Sequence, residues 1–424
     1  MKKLSVLVFI VAAINVHAVT IGELFNAIKR QPTTKIDEIS SQMATIAQQR
    51  VNAGYYPKVD LFANYTHYNS PTNLRPLDPV STAKLDGQPL PFAQTIQKIG
   101  VGASVPIFVK ELGDLSNKAR YLAKSANLKK ELNFYQNEAL VLGANANLEY
   151  LDNLLLSLKT TRQSLVKSKE DLQISVDSGR APGIVLDKID ERINQIDISI
   201  NSVKIKKTSL LSNMENLTGI YLQKPANMEL VSHVKKGKIF ALKPLQEVIN
   251  ASISDFKASK AKRYYPKVAF NAMWSENYAQ DDVRYGKSVH EGYGYYQLGV
   301  SMPLYNRGED VDIQLKQIAI MKDRMKLAKT ERELKLEAKS LQRNLKLLDK
   351  SEKLKKENIK KNRDLLKYAK VAFMEGRMIE EDYLGYEDRL LSSKAAYYET
   401  KSQKWQDIAK LAVIYGNDLK GVVR

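Results

Sequence analysis

The pentapeptide Tyr55-Tyr56-Pro57-Lys58-Val59 occurs a second time in this chain, as Tyr264-Tyr265-Pro266-Lys267-Val268. Shorter motifs recur after each copy in the same order: Val105-Pro106-Ile107 and Met302-Pro303-Leu304, Gly179-Arg180 and Gly376-Arg377, Leu217-Thr218-Gly219 and Ile414-Tyr415-Gly416. The later pairs share one offset, 197 residues, whereas the pentapeptides lie 209 residues apart. Because an internal repeat determines the architecture, we predict two copies of one unit, with an insertion in the first copy.

The composition narrows the classes of function. The chain of 424 residues has no cysteine, which excludes disulfides, thiolate metal sites, cysteine nucleophiles and a cysteine-linked lipid anchor. Its formal net charge of +19 suits a nucleic acid partner, an acidic membrane surface or a solvated helical exterior. The export signal described next argues against nucleic acid.

Residues 1–18 have the features of a secretory signal peptide. Lys2 and Lys3 precede an apolar run, and Val16-His17-Ala18 supplies small residues, Val16 and Ala18, at the two positions that a signal peptidase inspects. The alternative, a membrane anchor, is disfavoured because the apolar run is too short to cross roughly 30 Å of hydrocarbon. We expect the mature chain to begin at Val19.

Four segments alternate apolar with mainly polar residues: about residues 55–69, 95–108, 264–278 and 293–305. Polar loops rich in Pro, Gly, Asn and Asp join each pair. A soluble sheet is one interpretation, but export, strand length and terminal Tyr and Trp residues favour an outer-membrane barrel. Unpaired strand edges in lipid cost several kcal/mol for each group, so four strands cannot form such a barrel alone. Several chains must therefore contribute.

Long helices are predicted after each strand pair, at residues 110–176 and 309–374, because leucine recurs every seven residues in both: Leu151, Leu158, Leu165 and Leu172; Leu327, Leu334, Leu341 and Leu348. Each ends at a glycine and is followed by a returning helix, at residues 184–217 and 381–415. The first repeat is residues 19–217, a linker spans 218–243, and the second repeat is residues 244–416. A first helix is interrupted at Pro32, and the tail, residues 417–424, is predicted to be loose.

The duplicated order of helix, Tyr-Tyr-Pro strand, loop, Val-Pro-Ile strand, long helix, glycine turn and returning helix resembles the TolC-like outer membrane efflux protein family. The resemblance covers the whole mature chain. It implies a membrane α+β fold, a homotrimeric channel-tunnel of a Gram-negative outer membrane. Three chains would pool four strands each into a 12-stranded β-barrel, continued by a long periplasmic α-helical barrel.

The resemblance also implies a function. The protein would be a passive exit duct for drugs, toxic small molecules or ions, without enzyme activity or a cofactor. Its partners would be a periplasmic adaptor, an inner-membrane pump of the RND or ABC type, and outer-membrane lipid. A type I protein-secretion channel remains an alternative that the sequence does not separate. A periplasmic adaptor is disfavoured because it has a single hairpin, and a structural coiled-coil protein would need no alternating strands.

The family resemblance directs attention to the hairpin tips. Gly179, Arg180, Gly376 and Arg377 are expected to contact the adaptor. Family members commonly carry an acid six positions after the second tip glycine, where this chain has Asp382. With its neighbours Glu380 and Glu381, it would form a carboxylate ring in a trimer and favour cations. The alternative is that these acids only stabilise the start of a helix through its dipole.

Two departures from the family pattern concern the gate. The first tip has Val185 at the position of Asp382, with Asp187 as the nearest acid, and Gly385 stands where a second acid can occur. A pairing of Arg180 or Arg377 with Asp187 is an alternative way to latch the gate. The remaining predicted site residues are the membrane-interface joints, where helix becomes strand: Tyr55, Tyr56, Pro57, Tyr264, Tyr265 and Pro266.

The stretch of residues 322–363 carries sixteen Lys or Arg against seven Asp or Glu. Long exposed helices are usually charged, so a solvated face is one interpretation. The other is that part of the stretch lines the tunnel and favours anionic cargo, or receives an acidic adaptor surface.

Overall fold

The computed structural model describes residues 19–67, 95–180, 182–280 and 289–424. The predicted signal peptide and most of both strand-joining loops lie outside these residues. The helices and strands, in chain order, are α1 (Ile21–Ile28), α2 (Pro32–Asn52), β1 (Lys58–His67), β2 (Thr95–Val109), α3 (Lys110–Asp177), α4 (Ile184–Thr218), α5 (Lys243–Tyr264), β3 (Lys267–Gln280), β4 (Val289–Ser301), α6 (Arg307–Met374) and α7 (Glu380–Tyr415).

The chain divides into two compact units, which are described separately. One comprises Ser41–Ala126 and Leu245–Leu327, and the other comprises Asn127–Pro244, Ala328–Arg424 and the described part of Met1–Ser40. No helix among the described residues is both long and apolar enough to cross a bilayer.

The first unit contains one antiparallel sheet in the order β1-β2-β3-β4. The register aligns Leu61 with Val101 and Val101 with Trp274, so the apolar residues of neighbouring strands share a face. We call this surface the apolar face of the sheet; its large exposed members are Val59, Leu61, Val101, Trp274, Tyr296, Leu298 and Val300. Trp274 is 56% exposed and Leu298 is 65% exposed. The alternation predicted from the sequence is present, but the single chain does not bury it.

The two repeats differ where the second strand of each pair meets its long helix. β2 runs through Pro106 to Val109 and continues into α3, with a bulge between Pro106 and Phe108. β4 ends at Ser301, before the equivalent proline and short of the predicted boundary at residue 305. Ser301 already pairs with Lys267, the first residue of β3, so β4 ends where its neighbour begins. Beyond this point Arg263 donates hydrogen bonds to the carbonyl oxygens of Pro303 (3.0 Å) and Leu304 (3.5 Å) and forms an ion pair with Asp310 (2.9 Å).

In the second unit, α1 begins with a capping box. Thr20 accepts a hydrogen bond from the Glu23 amide at 3.3 Å, and the Glu23 side chain accepts one from the Thr20 amide at 3.0 Å. The apolar side of α1 packs in a core with residues of α3, α4 and α7: Ile21, Leu24, Phe25, Ile28, Val141, Leu142, Met214, Trp405 and Ala412. Pro32 starts α2, as suits a residue without an amide donor.

The heptad leucines of α3 form a second core in the same unit. Leu151, Leu158 and Leu165 are buried against three isoleucines of α4, Ile189, Ile193 and Ile196. The heptad pattern therefore marks the side of α3 on which the first hairpin closes.

The tail was predicted to be loose, and this prediction is wrong. Leu419 is fully buried, and Val422 and Val423 are also in the core that holds α1. The tail pairs with the linker, because the amide of Val231 donates to the carbonyl oxygen of Val422 at 2.9 Å and residues Glu229 and Arg424 exchange two hydrogen bonds. Burial of three aliphatic side chains and the backbone bonds to the linker together oppose the entropy cost of ordering this segment.

The tail also covers a buried acid on α3. Glu138 is 1% exposed, and its Oε2 accepts a hydrogen bond from the amide of Leu419 at 3.1 Å. Burial, reinforced by the negative charge of Asp418, raises the pKa of Glu138 to about 8. At neutral pH this side chain is therefore a neutral acid that can donate its proton to Asp418.

The raised pKa of Glu138 predicts that the free energy of unfolding depends on pH. The folded chain holds the proton up to about pH 8, whereas the unfolded chain releases it near 4.5. The stabilisation is therefore complete below pH 4.5 and is lost as the pH rises to 8, by at most about 1.4 kcal/mol per pH unit. Glu138→Gln should remove this decline in the free energy of unfolding, followed by the fluorescence of Trp405. Glu131→Gln, at an exposed position of the same helix, should keep it; the same slope in both variants would contradict the assignment.

Candidate functional site

The two hairpin tips have the same backbone geometry. Gly179 and Gly376 both have φ of 72°, in the left-handed region. The amide of Arg180 donates to the carbonyl oxygen of Ser175 and that of Arg377 to Ala372, each at 2.8 Å. The glycine amides donate to the carbonyl oxygens one residue further along, those of Val176 at 2.9 Å and Phe373 at 3.0 Å. Both tips are therefore Schellman turns, in which a glycine ends the helix.

The two returning helices begin with different chemistry. α4 starts at Ile184 with one acid, the exposed Asp187, in its first turn. α7 starts with three acids, Glu380, Glu381 and Asp382, and its N-cap residue Ile379 provides no side-chain hydrogen bond. The acids of α7 supply the negative charge that stabilises a helix N-terminus.

The three acids of α7 divide into two environments. Glu380 is 6% exposed, and its Oε2 lies 4.0 Å from Nζ of Lys188 on the other hairpin. Burial raises the pKa of Glu380, and the charge of Lys188 opposes that shift. Glu381 and Asp382 are exposed to solvent. Only these two carboxylates are placed to act on solute in the surrounding water.

The structure links the hairpins through residues other than those considered from the sequence. Arg192 of α4 forms an ion pair with Asp388 of α7. Arg377 instead pairs with Glu375 on its own turn, at 3.3 Å. Within the described ranges, neither Arg180 nor Asp187 has an ion-pair partner, so the latch considered from the sequence is not formed in a single chain.

A buried polar network lies beneath the second tip. The Tyr383 hydroxyl donates to Oε1 of Glu387 at 3.0 Å and lies 3.0 Å from the hydroxyl of Ser168. Ser164 donates to the same carboxylate oxygen at 2.6 Å. The Tyr383 ring stacks on Phe373, with centroids 4.7 Å apart. Burial, with the charge of Glu387, raises the pKa of Tyr383 to about 12.

The residues of this network were not predicted from the sequence. The one signal that the sequence gives for them is that Tyr383 and Glu387 are four residues apart and so share a helix face. Their partners Ser164 and Ser168 come from α3, more than 200 residues away. The network therefore joins the two repeats where the hairpins approach their tips.

A cleft of about 620 Å³ lies between the tips, lined by residues of both hairpins: Asp171, Arg180, Pro182, Val185, Lys188, Phe373, Glu375, Met378, Glu380 and Glu381. In the part of the chain that the structure describes, no cluster of three or more His, Asp or Glu side chains could hold a metal ion. The lining of the cleft combines charged and apolar side chains.

The predicted joints lie at the starts of β1 and β3. Tyr55 ends a 3-10 turn, Tyr264 ends α5, and Pro57 and Pro266 directly precede the strands. The tyrosines, with Tyr56 and Tyr265, are all exposed.

Solved structures share this fold over nearly the whole chain. The outer membrane protein VceC of Vibrio cholerae matches with a TM-score of 0.81 and 13% identity, over 94% of this chain and 96% of that chain. The Campylobacter jejuni CmeC outer membrane channel matches with a TM-score of 0.76 and 15% identity, over 95% of this chain and 85% of that chain. The Neisseria gonorrhoeae MtrE outer membrane channel, in its open state, matches with a TM-score of 0.78 and 12% identity. This match covers 95% of this chain and 90% of that chain.

This chain has the TolC-like fold. No protein-family model matches its sequence, and no curated protein matches it in sequence. The likeness is therefore one of backbone, at 12 to 15% identity to these three channels. The TolC-like fold confirms the order of elements expected from the repeated motifs.

The turn at Gly376 yields a stability prediction. No atom lies within 4 Å of the position that a Cβ would occupy there, so Gly376→Ala adds only backbone strain. An L-residue in this left-handed conformation costs about 1–2 kcal/mol of unfolding free energy. Gly385→Ala is the control, because a Cβ at Gly385 also meets no atom within 4 Å but this residue lies inside α7. In a helix interior, replacing glycine by alanine increases the free energy of unfolding by about 1 kcal/mol. Chemical denaturation should show a lower free energy of unfolding for Gly376→Ala and a higher one for Gly385→Ala. A decrease in both variants would contradict the assignment.

Proposed function

We propose that three copies of this chain form an outer-membrane channel, a passive exit duct in a Gram-negative envelope. The observation that carries the proposal is the exposed apolar face of a four-stranded sheet whose outer strands, β1 and β4, have no partner beyond them among the described residues. Water disfavours such a face, whereas lipid tails accommodate it. The similarity in backbone to outer membrane channels supports the same conclusion.

The free edges support the trimer. Backbone amide and carbonyl groups of β1 and β4 cannot remain unpaired in hydrocarbon, since each costs several kcal/mol. Pairing β4 of one copy with β1 of the next satisfies them, and three copies give a closed barrel of twelve strands. A closed barrel of this size leaves room for an aqueous pore.

The helices would continue this pore on the periplasmic side. α3 with α4, and α6 with α7, form hairpins closed by the tips described above. We place the adaptor at these tips, around Gly179, Arg180, Gly376 and Arg377, because they combine exposed backbone turns with charge. An inner-membrane pump would supply the energy, and the channel itself would perform no reaction.

Selectivity at the tips would come from Asp382 and Glu381. Both are exposed, and threefold symmetry would turn each into a ring of three carboxylates. Such a ring at a narrow point attracts cations. Glu380 would instead hold the hairpins together through Lys188.

The membrane assignment predicts opposite outcomes for two adjacent positions of β4. Leu298 belongs to the apolar face, whereas Gln297 points to the other face. Leu298→Arg should cost roughly 2–4 kcal/mol in lipid and reduce the amount of heat-resistant trimer extracted from the outer membrane. Gln297→Arg should leave that amount unchanged. Equal recovery of both variants, or a protein that remains soluble and monomeric, would contradict the proposal.

The ring predicts a change in ion selectivity. Asp382→Asn should reduce the preference for cations, because it removes three charges from one narrow level of the trimer. The measurement is the reversal potential in a planar bilayer under a salt gradient. Asp364→Asn, an equal change of charge at an exposed position of α6, serves as the control. If the potential is unchanged in Asp382→Asn, the acids of α7 act only on the helix dipole.

A further inference from the structure

A groove of about 850 Å³ lies away from the tips, between α3, α6 and α7 of the second unit. α3 contributes apolar and hydroxyl side chains, α6 contributes most of the charge, and α7 contributes a lysine and two tyrosines. The lining residues are Asn153, Leu156, Ser157, Thr160, Lys353, Lys356, Glu357, Ile359, Lys360, Arg363, Lys394, Tyr397 and Tyr398. Ligand pockets usually measure roughly 300–1,000 Å³, so the groove has the size of a single small-molecule site.

Four cations of α6 point into this groove from one face of the helix. Lys353, Lys356, Lys360 and Arg363 follow each other at intervals of three, four and three residues, the spacing of a common face. Lys394 meets them from α7. The groove therefore gathers five positive charges from two helices.

These charges are not balanced by acids of the chain. The one acid in the lining, Glu357, forms an ion pair with Lys361 outside the groove, at 3.0 Å. Across the described ranges, none of the five cations forms an ion pair. Burial, followed by the charge of Arg363, lowers the pKa of Lys394, and the charge of Glu387 opposes this shift. An anion placed among Lys360, Arg363 and Lys394 would remove this repulsion.

The rest of the lining is suited to an apolar body. Leu156 is 64% exposed, and the rings of Tyr397 and Tyr398 meet edge to face with centroids 5.1 Å apart. The hydroxyls of Ser157 and Thr160 already donate to carbonyl oxygens of their own helix, each at 2.8 Å. Recognition of a polar group is therefore left to the cations, and the opposite wall offers apolar contact.

We propose that this groove binds an amphipathic organic anion, whose carboxylate or sulfate lies among Lys360, Arg363 and Lys394 and whose apolar body packs on Leu156 and the two tyrosines. Charge complementarity and the size of the groove identify this occupant. A second copy of the chain or an acidic helix of another protein would be expected to extend beyond a site of this volume. The site is defined by a single chain, so it does not depend on the channel function proposed above.

The test is a titration of the full chain, reconstituted in detergent-free nanodiscs, with cholate below its micelle concentration. Cholate is a rigid apolar body with one carboxylate, and isothermal calorimetry would report its Kd. Lys360→Gln combined with Lys394→Gln should weaken binding at least about tenfold, the loss of roughly 1.4 kcal/mol. Lys326→Gln combined with Lys350→Gln removes the same charge from exposed positions of α6 outside the groove, and should leave the Kd unchanged.

Three results would overturn the proposal, and one would support it. Equal Kd values for both double variants would mean that the groove is not the site. Absence of cholate binding to the unaltered protein would also contradict the proposal, and binding of an acidic amphipathic peptide in its place would mean that another chain occupies the groove. Displacement of cholate by an uncharged steroid glycoside at equal concentration would show that the site does not select anions. A Kd that rises with salt for the unaltered protein but not for the groove variant would support it.

Discussion

Apolar surface that a single copy does not bury is the constraint on which the rest of this structure depends. The sheet exposes large side chains such as Leu61, Trp274 and Leu298 across neighbouring strands. The long helices do the same, with Ile198, Ile205, Leu347 and Leu354 all exposed. Water disfavours apolar area of this kind, which is typical of surfaces that meet lipid or another protein. In the proposed barrel the free strand edges add the same requirement through hydrogen bonding, because an unpaired edge in hydrocarbon costs several kcal/mol for each group.

The two repeats reproduce one backbone but carry different chemistry. Gly179 and Gly376 end their helices with the same φ and the same pair of hydrogen bonds. Yet α7 begins with three acids and α4 with one, and Arg263, which bonds the carbonyl oxygen of Pro303, has its counterpart in Gly54 of the first repeat, which has no side chain. A backbone turn needs only a glycine at one position, whereas the side chains around it can change freely. The two repeats therefore share the backbone geometry of their turns but carry different charged side chains around it.

Buried polar groups specify how the helices meet. Glu138 beneath the tail and the Tyr383–Glu387 pair beneath the second tip both lie in surroundings from which water is removed. Each is stable only because its partners are in place, the Leu419 amide in one case and two serines of α3 in the other. An apolar core would tolerate small shifts of these helices, but a buried carboxyl with a defined partner does not. Such contacts also make the structure sensitive to pH where burial raises a pKa.

The sequence by itself determined the elements and their order. The alternation of apolar and polar residues predicted the strands, the heptads predicted the side of α3 that is buried, and the recurring glycines predicted both tips. These signals are local and depend only on backbone geometry. Only the tertiary structure decided the partners. The burial of Leu419, the burial of Glu380 beside Lys188, the pairing of Arg192 with Asp388 and the cations gathered around Lys394 all depend on residues distant in the chain. Side-chain pairing of this kind is set by how helices pack, and no spacing within one segment records it.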